Sequence, residues 1–455
     1  MSLDRATAPN PLTPLRPAPP TSGLRGGLRA FRHRDYRLLW LGQIVSVTGT
    51  WMQSLAQSWL VVTTLGGSAL ALGAVNVAQF APILVLGLVA GVIADRIPKR
   101  NVLLVTQTIA AILATTLALL VATGAVRLWH VYAIALCFGV VNAFDMPTRQ
   151  AFVGEIVGKD DLMNAIALNS ALFNAGRIVG PAIAGVLLAA YGPAICFGVN
   201  AVSYIAPLTA LLLMKAAPVA RQTGGTGIAR LREGLAYVRG TPEVLMPMVL
   251  VGFVATFGMN FNIWAPLLAK QNFGGGATGF GLLMSAMGVG SLTGALGLAF
   301  TSRGPRRGLM FGAALALGGA ELLLGLAGAI PWPLAVGMLF MACSGFAAST
   351  AMATANSTVQ TIAPDALRGR VMSVYMTVFH GTIPFGALVA GASASWFGAP
   401  ASVAFGGLIT LLAAAIIGGR IARPRLASYR TERRARPSNS RRFFPGVSVD
   451  AQPED

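Results

Sequence analysis

From Leu38 to Ala94 the chain carries no Asp, Glu, Lys, Arg or His. Asp95-Arg96-Ile97-Pro98-Lys99-Arg100 follows at once, and a second apolar run opens at Val102. A bilayer asks for about 20 such apolar residues per spanning helix, and a water-soluble core has no use for so long an uncharged stretch. Hydrocarbon offers the backbone no hydrogen-bond partner, so each run must fold as a helix that satisfies itself. Gly91–Arg100 is then a short, water-facing turn between two spanning helices.

The rest of the chain repeats this pattern. Apolar residues make up 55% and charged residues 11%, against about 25% charged in soluble domains. Twelve membrane-length segments are predicted, near 38–63, 69–94, 102–123, 128–146, 162–190, 193–214, 244–269, 279–301, 308–329, 333–353, 371–396 and 400–419. All but three of the 34 Lys and Arg, the exceptions being Arg127, Arg177 and Lys270, fall on one side if the N-terminus is cytoplasmic. A multi-pass protein of a bacterial inner membrane with both termini cytoplasmic is expected. Its net charge of +19 reads as topology and as attraction to anionic headgroups at the cytoplasmic face. A nucleic-acid partner is not expected, because the charges are dispersed over loops and tails. Cys137, Cys196 and Cys343 lie inside predicted spans, so neither a disulfide framework nor a thiolate metal site is expected.

Residues 1–30 are rich in Pro and Arg and read as a disordered cytoplasmic tail, with no apolar core and cleavage site of a secretory signal. Residues 31–214 form a first six-helix half and 244–422 a second. The linker between them, 215–243, carries Ile228, Leu231, Leu235 and Val238 at helical spacing, which predicts an amphipathic helix at the inner surface. Residues 423–455 form a basic cytoplasmic tail.

The halves echo each other. Gly297, followed by Arg303-Gly304-Pro305-Arg306-Arg307, lies 206 residues after Gly91, and Gly180 and Tyr191-Gly192-Pro193 recur at the same offset as Gly386 and Phe397-Gly398-Ala399. Parallel repeats of this kind place a substrate site near the midplane, between halves that rock against each other. Here a resemblance becomes specific. Gly91-x-x-x-Asp95-Arg96-x-x-Lys99-Arg100 resembles the loop motif between spans two and three of the major facilitator superfamily. Phe144-Asp145-Met146-Pro147-Thr148-Arg149-Gln150, Asn164–Asn169 and Leu367–Ser373 are similar to the drug:proton antiporter branch that includes the enterobactin exporter. The resemblance implies an all-α membrane protein of twelve transmembrane helices in two six-helix pseudo-repeats.

Asp95 ends a helix, where the dipole disfavours a carboxylate, so it needs compensation. The resemblance implies that Gly91, Asp95, Arg96, Lys99, Arg100 and Arg149 form a latch against the start of span eleven, made in the outward-facing state. Thr301 holds the Asp95 position in the second half, so the latch is one-sided. Gly176, Gly180, Pro181 and Gly185 resemble the antiporter motif of span five; packing alone explains them equally. Gln43, Ser46, Thr50, Gln53 and Gln57 share one helix face, which must meet protein or a water-filled path. With Asn260, Asn262 and Trp264 of span seven they are the candidate substrate cavity. Asp145, Arg177, Glu321 and His380 are the ionisable groups at membrane depth and the candidates for charge or proton coupling. Arg177 either holds an anionic substrate or pairs with an acid. Asp145 and Arg149, spaced i and i+4, either pair or serve the latch.

The function this supports is a secondary transporter, a proton-coupled exporter of a small amphipathic compound such as a siderophore or drug, acting as a monomer without cofactor. A lysophospholipid flippase or an importer of the same fold is the alternative. A membrane-embedded enzyme would need a nucleophile with its base, or a metal cluster, and the three His at 33, 130 and 380 build none. No phosphate-binding loop of the form G-x-x-x-x-G-K-[ST] is present, so ATP is not the expected energy source.

Overall fold

The computed structural model describes residues 28–215, 227–301, 307–364 and 367–435, and every regular element among them is helical. The long helices are α1 Arg34–Trp59, α2 Ala69–Arg96, α3 Lys99–Ala122, α4 Leu128–Gly158, α5 Asp160–Tyr191 and α6 Pro193–Leu213. They continue with α7 Pro242–Gln271, α8 Gly276–Thr301, α9 Arg307–Ala329, α10 Leu334–Ile362, α11 Arg368–Phe397 and α12 Ala399–Ala435. Eleven helices among the described residues are long and apolar enough to cross a membrane. The one left out is α1. Its 26 residues reach about 39 Å, but its five-residue polar stripe dilutes the apolar run.

Turns follow local chemistry. Gly192 and Gly398 stop α5 and α11 with φ of 76° and 83°, a left-handed backbone that favours glycine, and Pro193 or Ala399 then starts the next helix. Gly158, at φ 70°, separates α4 from α5. α7 breaks between Phe257 and Phe261, and α1 runs into a π-helical turn at Leu60–Thr64. Several helices outlast the apolar segments that predict them: α4 reaches Gly158, α10 reaches Ile362 and the α12 backbone reaches Ala435. Helix propensity carries these ends past the hydrocarbon limit that composition detects.

Parts of the predicted tail and linker are among the described residues. Leu28–Ala30, placed in the N-terminal tail by the sequence, belong to the packed structure. Ala30 is fully buried and its N–H donates to Asn164 Oδ1 at 2.8 Å. The linker helix spans Gly227–Gly240, where Val238 is buried and Leu235 exposed; the side chains of Ile228 and Leu231 lie outside the described set. So do residues 1–27, 216–226 and 436–455.

Glycine brings the first six helices close together. Gly42 and Gly49 of α1 press on Pro207 and on Asn200 and Ser203 of α6, while Gly176 and Gly180 of α5 press on Val47, Thr48 and Trp51 of α1. Gly139 of α4 meets the Gln79 carbonyl of α2. Among the last six, Gly290 and Gly345 join α8 to α10, and Gly318, Gly325 and Gly407 join α9 to α12. Where hydrocarbon surrounds the bundle, such close contact supplies the attraction that water supplies elsewhere.

Candidate substrate site

Two seams join the first six helices to the last six: α2 against α11, and α5 against α8. Arg34, Gly158 and Leu213 mark the near end of the bundle, and the turns at Gly124, Gly192 and Gly398 mark the far end. Among the described residues, which leave out the side chains of 91–96 and residues 302–306, the close contacts across the seams run from the middle toward the far end. In the first seam, the Leu70 N–H donates to Ser395 Oγ at 2.9 Å, Gly73 faces the Ala387 carbonyl, and Gly381 faces Leu84. In the second, a methyl on Gly281 would sit 2.7 Å from the Gly185 Cα and from the Pro181 carbonyl oxygen, and Ser285 Oγ donates to the Ile178 carbonyl at 3.1 Å. At the far end itself, Lys270 Nζ donates to the Val62 carbonyl at 2.9 Å and Trp59 stacks on Phe280. That carbonyl lies within the π-helical turn.

The basic residues after α2 serve the first six helices. Lys99 Nζ pairs with Glu155 Oε1 of α4 at 2.5 Å. Arg100 caps α6, its Nε donating to the Leu211 carbonyl at 2.6 Å and its Nη2 to the Leu212 carbonyl at 2.9 Å. Arg149 is turned to Asp145. Gly91 lies on α2, but the side chains of Asp95, Arg96 and Thr301 lie outside the described set, as does Arg303-Gly304-Pro305-Arg306. At the start of α11, Arg368 Nε donates to the Gln360 carbonyl and Arg370 pairs with Glu233 of the linker helix.

Four of the five α1 stripe residues, Gln43, Ser46, Gln53 and Gln57, are buried. Gln53 Oε1 accepts Asn200 Nδ2 of α6 at 2.7 Å, while Gln43 Nε2 has no partner among the described residues. Thr50 is the exposed member, its hydroxyl donating to the Ser46 carbonyl. Tyr204 of α6 brings Thr50, Asn200, Asp145 and Arg149 into one polar neighbourhood. On α7, Asn260 starts the second segment and donates to the Thr256 carbonyl, and Asn262 is half-buried. Trp264, with Asn260, lines a small space beside Ser393 and Ser402. It is 1% exposed and donates to Ser402 Oγ at 2.9 Å, a core position that its apolar ring and single N–H satisfy together.

The antiporter-type residues divide their work. Gly176 and Gly180 seat α5 on α1, while Pro181 and Gly185 seat it on α8. Arg177 stands between these two contacts, in the middle of α5. Its Nη2 donates to Asn174 Oδ1 at 3.0 Å, its Nε is buried without a partner, and it makes no ion pair among the described residues. Asp145 is the opposite case. Its Oδ1 accepts Thr106 Oγ1 at 2.7 Å and Gln107 Nε2 at 2.8 Å, and its Oδ2 accepts Arg149 Nε at 2.9 Å and Nη2 at 2.6 Å. Glu321 is fully buried, with both carboxyl oxygens unpartnered among the described residues and its Cβ against Gly407 of α12. His380 is half-buried beside Gly381 at the first seam, edge-on to Phe379.

Some positioning residues escaped the sequence reading. Asp161, 1% exposed, gathers Arg32 Nε at 2.7 Å, His33 Nε2 at 3.0 Å and Arg29 Nε at 3.4 Å. Tyr36 and Trp40 donate to the Ala165 and Leu168 carbonyls. Together they moor the start of α1 to the start of α5. The adjacent polar pair Thr106-Gln107 within apolar α3 was the available signal for a partner of Asp145.

This architecture is that of solved membrane transporters. A POT family transporter in complex with 5-aminolevulinic acid superposes with a TM-score of 0.71 at 14% identity, covering 88% of this chain and 97% of that one. A bacterial homologue of the human lysosomal transporter Spinster, inward-facing and unoccupied, gives 0.65 at 15% identity, covering 85% and 95%. The chain belongs to the transmembrane secretion effector family of the major facilitator superfamily, which it matches over residues 25–449. It is 30% identical to the multidrug efflux pump Tap of Mycolicibacterium fortuitum over 78% of this chain and 88% of that one. The Staphylococcus aureus staphyloferrin A transporter is 25% identical (80% and 90% covered) and the Shigella boydii enterobactin exporter EntS 26% identical (75% and 81% covered).

Proposed function

We propose that the protein exports a small amphipathic organic compound from the cytoplasm by alternating access, driven by a proton gradient. One observation supports the mechanism: among the described residues, close contacts cross both seams from the middle to the far end, where two halves of a carrier could part and meet. With the basic loops cytoplasmic, the far end is periplasmic. The first six helices and the last six, twelve spans with α1 included, are the two halves that rock. The equivalent glycine stops at Gly192 and Gly398 support their origin as repeats. Lys99, Arg100 and Arg149 bond within the first half, which leaves Asp95 and Arg96 as the proposed latch partners of the start of α11. The same reading puts the protein in a bacterial inner membrane, as a monomer with anionic headgroups against its basic face.

For coupling, His380 stands at a seam and has no hydrogen-bond partner among the described residues, so a proton there changes the field where the halves part. The test is transport in inverted membrane vesicles with and without an imposed pH gradient, across a panel of dyes and siderophores. Gradient-dependent accumulation with proton release is expected, and it is lost in His380→Asn. Accumulation that ignores the gradient for every compound would refute proton coupling.

A further inference from the structure

We propose that Arg177 is the docking group for an oxyanion on the transported molecule, so that the substrate itself supplies the missing counter-charge. This rests on the transport reading above. A cation at membrane depth is costly unless something compensates it. Protein does not do so here: Arg177 makes no ion pair among the described residues, and one guanidinium nitrogen is buried with no acceptor. The two described acids at this depth are unsuitable. Asp145 already has both oxygens bonded, and Glu321 is sealed against α12.

Placement makes Arg177 a site. On the helical wheel of α5, Gly176 and Gly180 face α1, while Ile178, Pro181 and Gly185 face α8. Arg177 falls in the sector between those two neighbours, and the opposite sector carries the exposed apolar Val179, Ile183 and Val186, as a lipid face should. Thr50, the exposed stripe residue, precedes Trp51, which packs on Gly176 and Gly180. Thr50 and Arg177 therefore lie at one depth, a hydroxyl and a forked cation, with Asn174 fixing one arm of the fork. A guanidinium with free donors matches the two oxygens of a carboxylate, a phosphate or an ionised catechol. At the seam α5 closes on Gly288 of α8, whose missing side chain leaves the Arg177 backbone in direct contact. Rocking of the halves thus changes the space around the charge.

The shared chemistry is an oxyanion on an amphipath, which either a dissolved compound or a lysolipid headgroup could supply. The test compares fluorescein (anionic), rhodamine 6G (cationic) and lysophosphatidic acid on purified full-length protein in neutral detergent, read by fluorescence polarisation and competition. Wild type is expected to bind fluorescein at least about 10-fold more tightly than Arg177→Gln, the loss of one charge-assisted hydrogen bond. Arg177→Lys should recover part of that, and rhodamine binding should not weaken. Displacement of fluorescein by lysophosphatidic acid but not by 2,3-dihydroxybenzoate or citrate points to a lipid headgroup, and the reverse to a dissolved acid. Equal loss of both dyes in folded Arg177→Gln, unchanged fluorescein binding, or no anion binding by wild type would overturn the proposal. Anion binding without any gradient-driven transport would leave the site standing and remove the exporter reading instead.

Discussion

At Asp145 and Glu321 the same functional group meets opposite surroundings. Asp145 collects four hydrogen bonds from three side chains. Asp145→Ala leaves Thr106, Gln107 and Arg149 without their acceptor, the case in which breaking a buried pair costs about 3–5 kcal/mol. A clear drop in thermal unfolding temperature in detergent is expected, and Asp145→Asn, which keeps one acceptor oxygen, should fall less. Glu321 has no such company. Its carboxyl has no hydrogen-bond partner among the described residues, in a seat between α9 and α12 away from both seams, so Glu321→Gln is expected to leave transport and its pH dependence within about twofold of wild type, measured in the vesicle assay. Sequence spacing offered Arg149 both to Asp145 and to a latch. In this state the structure gives it to Asp145, because i and i+4 side chains are neighbours whatever the halves do.

The helices were legible because hydrocarbon punishes charge, so each uncharged run had to be a span. Their faces were harder to read. The α1 stripe was visible as one face, but periodicity does not say what covers it, and Asn200 and Tyr204 come from a helix more than a hundred residues away. Trp264 is buried on Ser402 and lines a small space with Asn260, and nothing in the sequence marked Ser402 as its partner. The π-helical turn of α1 left no composition signal, and Lys270 bonds a carbonyl within it. The antiporter-type glycines were legible as packing residues; that they divide between α1 and α8 required coordinates. Gly281, their partner on α8, went unread. Gly281→Val forces the Gly185 and Pro181 backbones away and should wedge the seam open. We expect a transport loss of 10-fold or more in protein that still elutes as a single folded species, because one seam is strained while the helix bundles on either side stay packed.

For the whole molecule, the proposed alternating access makes closure of the far end one of two states that the carrier must leave and regain. Lys270 on the Val62 carbonyl, Trp59 on Phe280 and the Leu70–Ser395 contact hold that end together, and none sits near Arg177 or His380 in sequence. Weakening the clasp with Lys270→Met should shift the population outward, seen as faster labelling of a cysteine placed at Ala387, which is 2% exposed at the first seam. The most direct measurement is to fix the seam. In a background with Cys137, Cys196 and Cys343 replaced, Leu70→Cys and Ser395→Cys are oxidised to a disulfide across α2 and α11, and transport is followed in vesicles. The account predicts that transport stops on oxidation and returns on reduction. Full-rate transport by fully cross-linked protein would contradict it.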